Sequence, residues 1–124
     1  MSHAPGQPSR VLLIEDSRDD AELIAMALTD GGLQVDCQRA WSAATVGDVL
    51  RDSAPQLVLS DLNLPGYSCE EAFQMVRAHD PALPFVLLTG APFIDATELP
   101  VAADATLSKD ELDSLPALVR KLLG

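Results

Sequence analysis

Hydrophobic and polar positions follow a repeating order along the chain, in which a short apolar run is followed by a segment with helical spacing. An apolar run of four to eight residues bounded by turn residues is typical of a buried strand in a parallel sheet. The runs predict five strands, over Arg10–Asp16, Gln34–Gln38, Leu57–Asp61, Leu83–Gly90 and Ala105–Ser108.

The segments between the runs place apolar residues three and four positions apart, which indicates helices with one buried face. Ser42 is a favoured helix N-cap residue, and Ser68 with Glu71 forms an S-x-x-E capping box. The spacing predicts helices over Asp19–Asp30, from Ser42 to about Arg51, from Ser68 to about His79, and from about Pro116 onward.

Residues 91–104 fit this alternation poorly, because Pro92 and Pro100 limit a helix between them to about two turns. Strands that alternate with helices indicate an α/β fold, a doubly wound parallel sheet with helices on both faces. The fourth helix is predicted to be reduced or irregular. We expect one domain over residues 10–124 and a disordered tail over residues 1–9, which lacks the apolar core of a signal peptide.

Composition narrows the class of partner. The 124 residues are 48% hydrophobic and 22% charged, as in an ordinary globular domain, and carry a net charge of -11. This charge argues against nucleic acid or an anionic membrane as a direct partner, and no apolar run reaches the roughly 18 residues of a membrane span. Cys37 and Cys69 are too few for a disulfide framework and predict reduced thiols in a cytoplasmic protein.

Chemically active side chains stand where the predicted strands end, which is where parallel sheets bind ligands. Glu15 and Asp16 end the first strand, Asp61 the third and Thr89 the fourth, and Lys109 follows the fifth. Three carboxylates placed together repel one another unless a cation neutralises them, and oxygen ligands suit Mg²⁺. Neither Cys nor His stands at these strand ends, which removes zinc from consideration. The sequence therefore predicts Asp61 as a nucleophile for phosphoryl transfer beside Mg²⁺.

Each of these residues also has a purely structural explanation. Asp61 could form the turn before Pro-Gly, and Glu15 and Asp16 could stabilise the start of the following helix. Thr89 could be an ordinary strand-end residue, and Lys109 a solvated surface lysine. Trp41, in a loop between strand and helix, is predicted to be a partly buried packing residue.

Four segments in order, "VLLIED", "LVLSDLNLPG", "PFVLLTG" and "ATLSKDEL", resemble the receiver domain of bacterial two-component response regulators. The resemblance covers about residues 10–123. It implies a flavodoxin-like sheet with strand order 2-1-3-4-5 and a phosphoryl group taken from the phosphohistidine of a histidine kinase or histidine phosphotransfer protein. Such a domain is not an enzyme acting on other molecules, because the transfer is directed at itself. The implied roles are Asp61 as phosphoacceptor; Glu15, Asp16, Asp61 and the Asn63 backbone carbonyl as Mg²⁺ ligands; Thr89 as donor to a phosphoryl oxygen; and Lys109 as partner of the phosphate.

The chain departs from the family pattern on the output side. Thr106 stands where receivers usually have Tyr or Phe, and Asp110 stands where a proline commonly follows the lysine. We expect a stand-alone receiver, a monomer or weak dimer, that signals through protein contacts, with residues 91–104 responding to phosphorylation.

Two other functions compete with the phosphoacceptor. A pseudo-receiver that binds partners without being phosphorylated would share the altered positions. A haloacid dehalogenase-type phosphatase would use similar groups, but with its nucleophile on the first strand and its acid pair last, the reverse of the order found here.

Overall fold

A single five-stranded parallel sheet organises the chain, in the order β2-β1-β3-β4-β5. The computed structural model describes residues 8–62, 67–90 and 102–123. The strands are β1 (Ser9–Ile14), β2 (Val35–Ala40), β3 (Leu57–Asp61), β4 (Phe85–Thr89) and β5 (Ala105–Ser108). The predicted doubly wound sheet and its strand order are confirmed.

Four α-helices of the described residues pack on the sheet, and the first three begin at serine caps. The described part contains α1 (Arg18–Asp30), α2 (Ala43–Ser53), α3 (Cys69–His79) and α4 (Leu115–Leu123), with a 3-10 helix over Lys109–Ser114 before α4. The Ser17, Ser42 and Ser68 side chains accept hydrogen bonds from first-turn backbone N–H groups, which would otherwise lack partners. Within the described ranges, none of these helices is long and apolar enough to cross a bilayer.

Two cores lie on opposite faces of the sheet, because successive strand side chains point to opposite sides. Leu12 and Ile14 of β1 face the helices α2 and α3, whereas Val11 and Leu13 face α1 and α4. β3 and β4 are buried along their whole length. The sheet is therefore covered on both sides, as the continuous apolar runs predict.

Element bounds differ from the predictions by one or two residues. β2 runs over Val35–Ala40 rather than Gln34–Gln38, since its register with β1 extends to the pair Ile14–Ala40. β2 is an edge strand in which half-buried and exposed residues alternate, so the sequence shows no continuous apolar run from which its full length could be predicted. β4 begins at Phe85, because Pro84 has no N–H to donate to the ladder.

Asp104, directly before β5, links the edge strand β5 to the beginning of β4. Its carboxylate accepts hydrogen bonds from the Phe85 N–H at 2.8 Å and from Arg77 Nη2 of α3 at 2.9 Å. Partial burial alone would raise the pKa of Asp104, but these two hydrogen bonds outweigh it and hold the pKa below its usual value. The predicted tail over residues 1–9 and the predicted reduced helix over 91–104 lie largely outside the described residues.

Helices α1 and α4 meet at Gly31, directly after α1. A Cβ at this position would collide with the ring of Pro116 in the first turn of α4. Glycine is therefore needed for the close approach of the two helices.

Strand order reverses between β1 and β3. The chain passes from β1 to β2 on one side and returns to β3 on the other. The carboxyl ends of β1 and β3 consequently flank a crevice of the kind in which α/β sheets bind ligands.

Candidate functional site

Glu15 and Asp16 form a two-residue acidic turn between β1 and α1. Glu15 is 1% exposed, whereas Asp16 is exposed. The Ser17 N–H donates to Glu15 Oε2 at 3.2 Å, and Ser17 Oγ accepts from the Asp20 N–H at 3.2 Å. The cap of α1 thus fixes the turn and directs a carboxylate into the crevice.

Asp61, the last residue of β3, lies opposite this turn. It is 7% exposed and pairs in register with Leu88 of β4. One carboxylate oxygen from each of Glu15, Asp16 and Asp61 lies within 4.8 Å of the other two. The structure therefore brings together the three acids that the sequence places at strand ends.

Lys109, directly after β5, supplies the cation of this cluster. Its Nζ lies 2.8 Å from Glu15 Oε1, 3.3 Å from Asp61 Oδ2 and 3.2 Å from Asp20 Oδ2. Its side chain is only 21% exposed. The explanation of Lys109 as a solvated surface lysine is wrong, because the ammonium group is turned into the crevice.

Thr89 ends β4 and is 2% exposed. It pairs in register with Ser108, the residue before Lys109. Its strand end therefore lies between those that carry Asp61 and Lys109. Asn63, whose carbonyl is the fourth predicted metal ligand, lies outside the described residues.

Burial and charge oppose each other in the cluster. Burial raises the pKa of Glu15, an effect that the hydrogen bonds from Lys109 and the Ser17 N–H oppose only in part. Burial alone would lower the pKa of Lys109, but the bond to Glu15 and the charge of Asp61 outweigh it and raise the pKa. The ammonium group stays charged and partly neutralises the acids.

The donor atoms of the cluster fit a hard cation. Three carboxylates supply oxygen atoms only, and a single lysine balances part of their charge. This combination suits Mg²⁺, which takes one or two carboxylates and keeps several waters.

The site contains two further residues that the sequence did not predict, Asp20 and Arg39. Asp20 reaches Lys109 from the first turn of α1, where an acidic residue is equally explained by the helix dipole, so no sequence signal marks its part in the site. Arg39 donates from Nη1 to the carbonyl oxygens of Glu15 and Asp16, and no local pattern marks an arginine near the end of an edge strand for this role. Trp41 is 44% exposed, as predicted for a partly buried packing residue, but it packs against the Arg39 guanidinium group rather than in either apolar core.

The cysteines take no part in the site. Cys37 and Cys69 are free thiols, and burial raises the pKa of each, that of Cys37 to about 11. Both therefore remain protonated and poorly nucleophilic at neutral pH.

Comparison with known proteins gives one consistent answer. The family model of the response regulator receiver domain matches residues 11–120. The transcriptional regulatory protein TctD of Salmonella typhimurium is 35% identical over 117 residues, which are 92% of this chain and 51% of TctD. The chain thus spans about half the length of this relative.

Solved structures agree with the sequence relatives. A putative response regulator from Chloroflexus aurantiacus superposes with a TM-score of 0.80 at 25% identity, over 94% of this chain and 98% of its own. The response regulator TrrA of Thermotoga maritima, solved with Mg²⁺-BeF, has a TM-score of 0.77 at 24% identity, over 92% and 98% of the two chains. With a sheet, an acidic crevice and a family match that agree over nearly its whole length, this chain belongs to the response regulator receiver domains.

Proposed function

We propose that this protein accepts a phosphoryl group on Asp61 from the phosphohistidine of a histidine kinase or a histidine phosphotransfer protein. Receiver domains are phosphorylated by histidine kinases. The observation that carries the proposal is the cluster itself, in which Asp61 lies beside two further carboxylates and 3.3 Å from the Lys109 ammonium. A lone turn-forming aspartate would need none of these neighbours.

The transfer needs little covalent chemistry from the protein. A carboxylate oxygen of Asp61 attacks phosphorus, the bond from phosphorus to the imidazole nitrogen breaks, and the electron pair stays on the imidazole. The products are an acyl phosphate on Asp61 and a histidine that regains a proton from water. Catalysis consists mainly of positioning and charge stabilisation.

The residues around Asp61 answer the added charge. A phosphoryl group brings roughly -1.5 to -2 charge and three acceptor oxygens. Lys109, whose Nζ lies 3.3 Å from Asp61, would pair with one oxygen, and the Thr89 hydroxyl, at the end of the neighbouring strand, would donate to another. The protein would be phosphorylated and dephosphorylated itself rather than act as an enzyme on other molecules.

Receiver domains bind Mg²⁺ at an acidic pocket, and the acidic cluster is the corresponding feature here. We assign the metal to Glu15, Asp16 and Asp61, with the Asn63 backbone carbonyl as a further ligand. When bound, Mg²⁺ neutralises negative charge on the phosphoryl oxygens during transfer. Asp16 and Asp61 are the direct carboxylate ligands in this assignment, and Glu15 makes the shorter contact with Lys109, at 2.8 Å against 3.3 Å for Asp61.

Output would pass through protein contacts rather than through direct binding to nucleic acid or membrane, since the net charge is -11. We propose that the domain works in the cytoplasm, as a monomer or weak dimer. Whether it acts as a switch, a relay or a phosphate sink depends on its partners.

Intact mass after incubation with acetyl phosphate separates the phosphoacceptor from the pseudo-receiver. We expect one phosphoryl adduct in the presence of Mg²⁺ and none in excess EDTA. A protein that gives no adduct with Mg²⁺, yet keeps its fold, would be a pseudo-receiver, the reading that Thr106 and Asp110 favour.

A further inference from the structure

The guanidinium group of Arg39, on the neighbouring strand β2, hydrogen-bonds to the backbone of the acidic turn. Nη1 donates to the carbonyl oxygen of Glu15 at 3.1 Å and to that of Asp16 at 3.2 Å. On the other side of the turn, the Glu15 N–H donates to the Ala40 carbonyl at 2.9 Å. The end of β2 therefore binds three backbone groups of the turn: the N–H of Glu15 and the carbonyl groups of Glu15 and Asp16.

Trp41 keeps the guanidinium group in place. The Arg39 Cζ lies 4.4 Å from the centre of the indole ring, and the Trp41 N–H donates to Thr45 Oγ1 at 2.9 Å. That N–H is the backbone amide of Trp41, and Thr45 belongs to the reciprocal cap of α2, so the backbone that carries the indole is tied to the start of a helix. A planar guanidinium can stack on a ring and donate in its own plane at once, whereas an ammonium group cannot.

The two carbonyl groups that accept hydrogen bonds from Arg39 belong to the two peptide units that flank the Asp16 Cα. Glu15 and Asp61 are buried, so packing orients their carboxylates. Asp16 is exposed, and the direction of its side chain depends on the backbone from which it projects.

We propose that Arg39 is a positioning residue for the Mg²⁺ site, which sets the orientation of the Asp16 carboxylate and thereby the affinity for the metal. The inference rests on the proposed function, since it assumes that Glu15, Asp16 and Asp61 hold Mg²⁺. Partners that orient the ligands of a metal typically contribute ten- to hundredfold to its affinity.

The charge of Arg39 and its positioning role predict opposite changes in Mg²⁺ affinity when Arg39 is replaced. As a positive charge beside the site, Arg39 repels a cation, and its removal alone would tighten Mg²⁺ binding. As a positioning residue, it keeps Asp16 in a productive orientation, and its removal weakens Mg²⁺ binding.

Arg18 provides the matched control. It is exposed at the first position of α1, two residues from Asp16, and lines the same 250 Å³ cavity as Arg39. Arg18→Met and Arg39→Met remove the same charge and keep an unbranched apolar stem, but only the second removes the donors to the turn.

The test is an NMR-detected MgCl₂ titration of the purified protein at constant ionic strength. Arg39→Met should weaken Mg²⁺ binding about tenfold, the lower end of the range for ligand-orienting partners. Arg18→Met should bind as the parent does or slightly more tightly. In the metal-free protein, hydrogen exchange of the Ser17 amide should become faster in Arg39→Met only, because that amide donates to Glu15 within the turn that Arg39 binds.

Arg39→Lys keeps the charge and guards against a variant that fails to fold. It should bind Mg²⁺ more weakly than the parent, because one ammonium group cannot both stack on Trp41 and reach two carbonyl groups.

Two outcomes would overturn the proposal. If the parent binds Mg²⁺ and the folded Arg39 variants bind it equally well or better, Arg39 does not position the site, and the proposed function stands. If the folded parent itself shows no Mg²⁺ binding, or if Asp16→Asn with Asp61→Asn binds Mg²⁺ as well as the parent does, the metal assignment fails together with this inference.

Discussion

Replacing Lys109 with Met should destabilise the metal-free protein far more than the same replacement at an exposed lysine. The variant leaves Glu15, which is 1% exposed, without its ion pair at 2.8 Å. At an effective dielectric constant of about 20, that contact alone is worth about 6 kcal/mol before desolvation is subtracted. Breaking a buried pair by removing one partner costs about 3–5 kcal/mol net.

We expect the lower end of that range, about 3 kcal/mol at pH 7, because Glu15 can escape its charge by binding a proton. Burial already raises the pKa of Glu15, and without Lys109 this pKa rises further. The loss should therefore shrink as the pH falls from 7 to 5. The pKa of Lys109 is raised above its ordinary 10.5, so its contribution is complete at pH 7 and is lost only as alkaline pH deprotonates the folded state.

Urea unfolding followed by circular dichroism in EDTA measures this loss. With a slope of about 1.5 kcal/mol per M, the midpoint should fall by about 2 M. Lys121→Met, the same change at an exposed lysine on α4, should stay within about 0.5 kcal/mol of the parent. Mg²⁺ should restore more stability to Lys109→Met than to the parent, since a divalent cation replaces the missing charge. Equal midpoints for the Lys109 and Lys121 variants would show that the ion pair of Lys109 with Glu15 does not stabilise the fold.

Three further predictions test other parts of the account. Mg²⁺ at ten times its dissociation constant should stabilise the parent by about 1.4 kcal/mol in thermal melts, and the shift should vanish in Asp16→Asn with Asp61→Asn. Asp104→Asn should lower the free energy of unfolding by about 1 kcal/mol at pH 7, a value discounted for solvent exposure. Because the pKa of Asp104 in the folded state lies below 3.8, the urea curves of parent and variant should converge below that pH. A difference that stays constant with pH would contradict the role assigned to the carboxylate. Gly31→Ala should destabilise the fold by about 1–3 kcal/mol, because the added methyl group meets the ring of Pro116 in α4. Gly47→Ala inside α2 should stabilise it by about 0.5–1 kcal/mol. If both variants shift the urea midpoint in the same direction, the close packing at Gly31 is wrong.

The sheet and the acidic crevice could be predicted from the sequence for one physical reason. Parallel strands buried on both faces need continuous apolar runs, so polar residues directly after a run mark its carboxyl end. Glu15, Asp61 and Thr89 stand at such ends, and parallel topology brings those ends together. The local pattern and the topology together were sufficient.

The contacts that tune the site could not be predicted in this way. Lys109 and Asp20 are 89 residues apart in the chain, and only the folded sheet brings them together. Arg39 lies on an edge strand whose alternating polar residues also concealed the true bounds of β2. Long-range pairing of charged side chains leaves no periodic trace in a sequence, so such contacts emerge only from the structure.

Chemical trapping of the phosphorylated residue shows directly whether Asp61 is the phosphoacceptor. The protein is incubated with acetyl phosphate and Mg²⁺, reduced with borohydride, and digested for peptide mass spectrometry, because borohydride converts an aspartyl phosphate to homoserine. We expect homoserine at position 61 and an unmodified peptide in Asp61→Asn. Homoserine formed with equal yield at another carboxylate, or an adduct that persists in Asp61→Asn, would contradict the account.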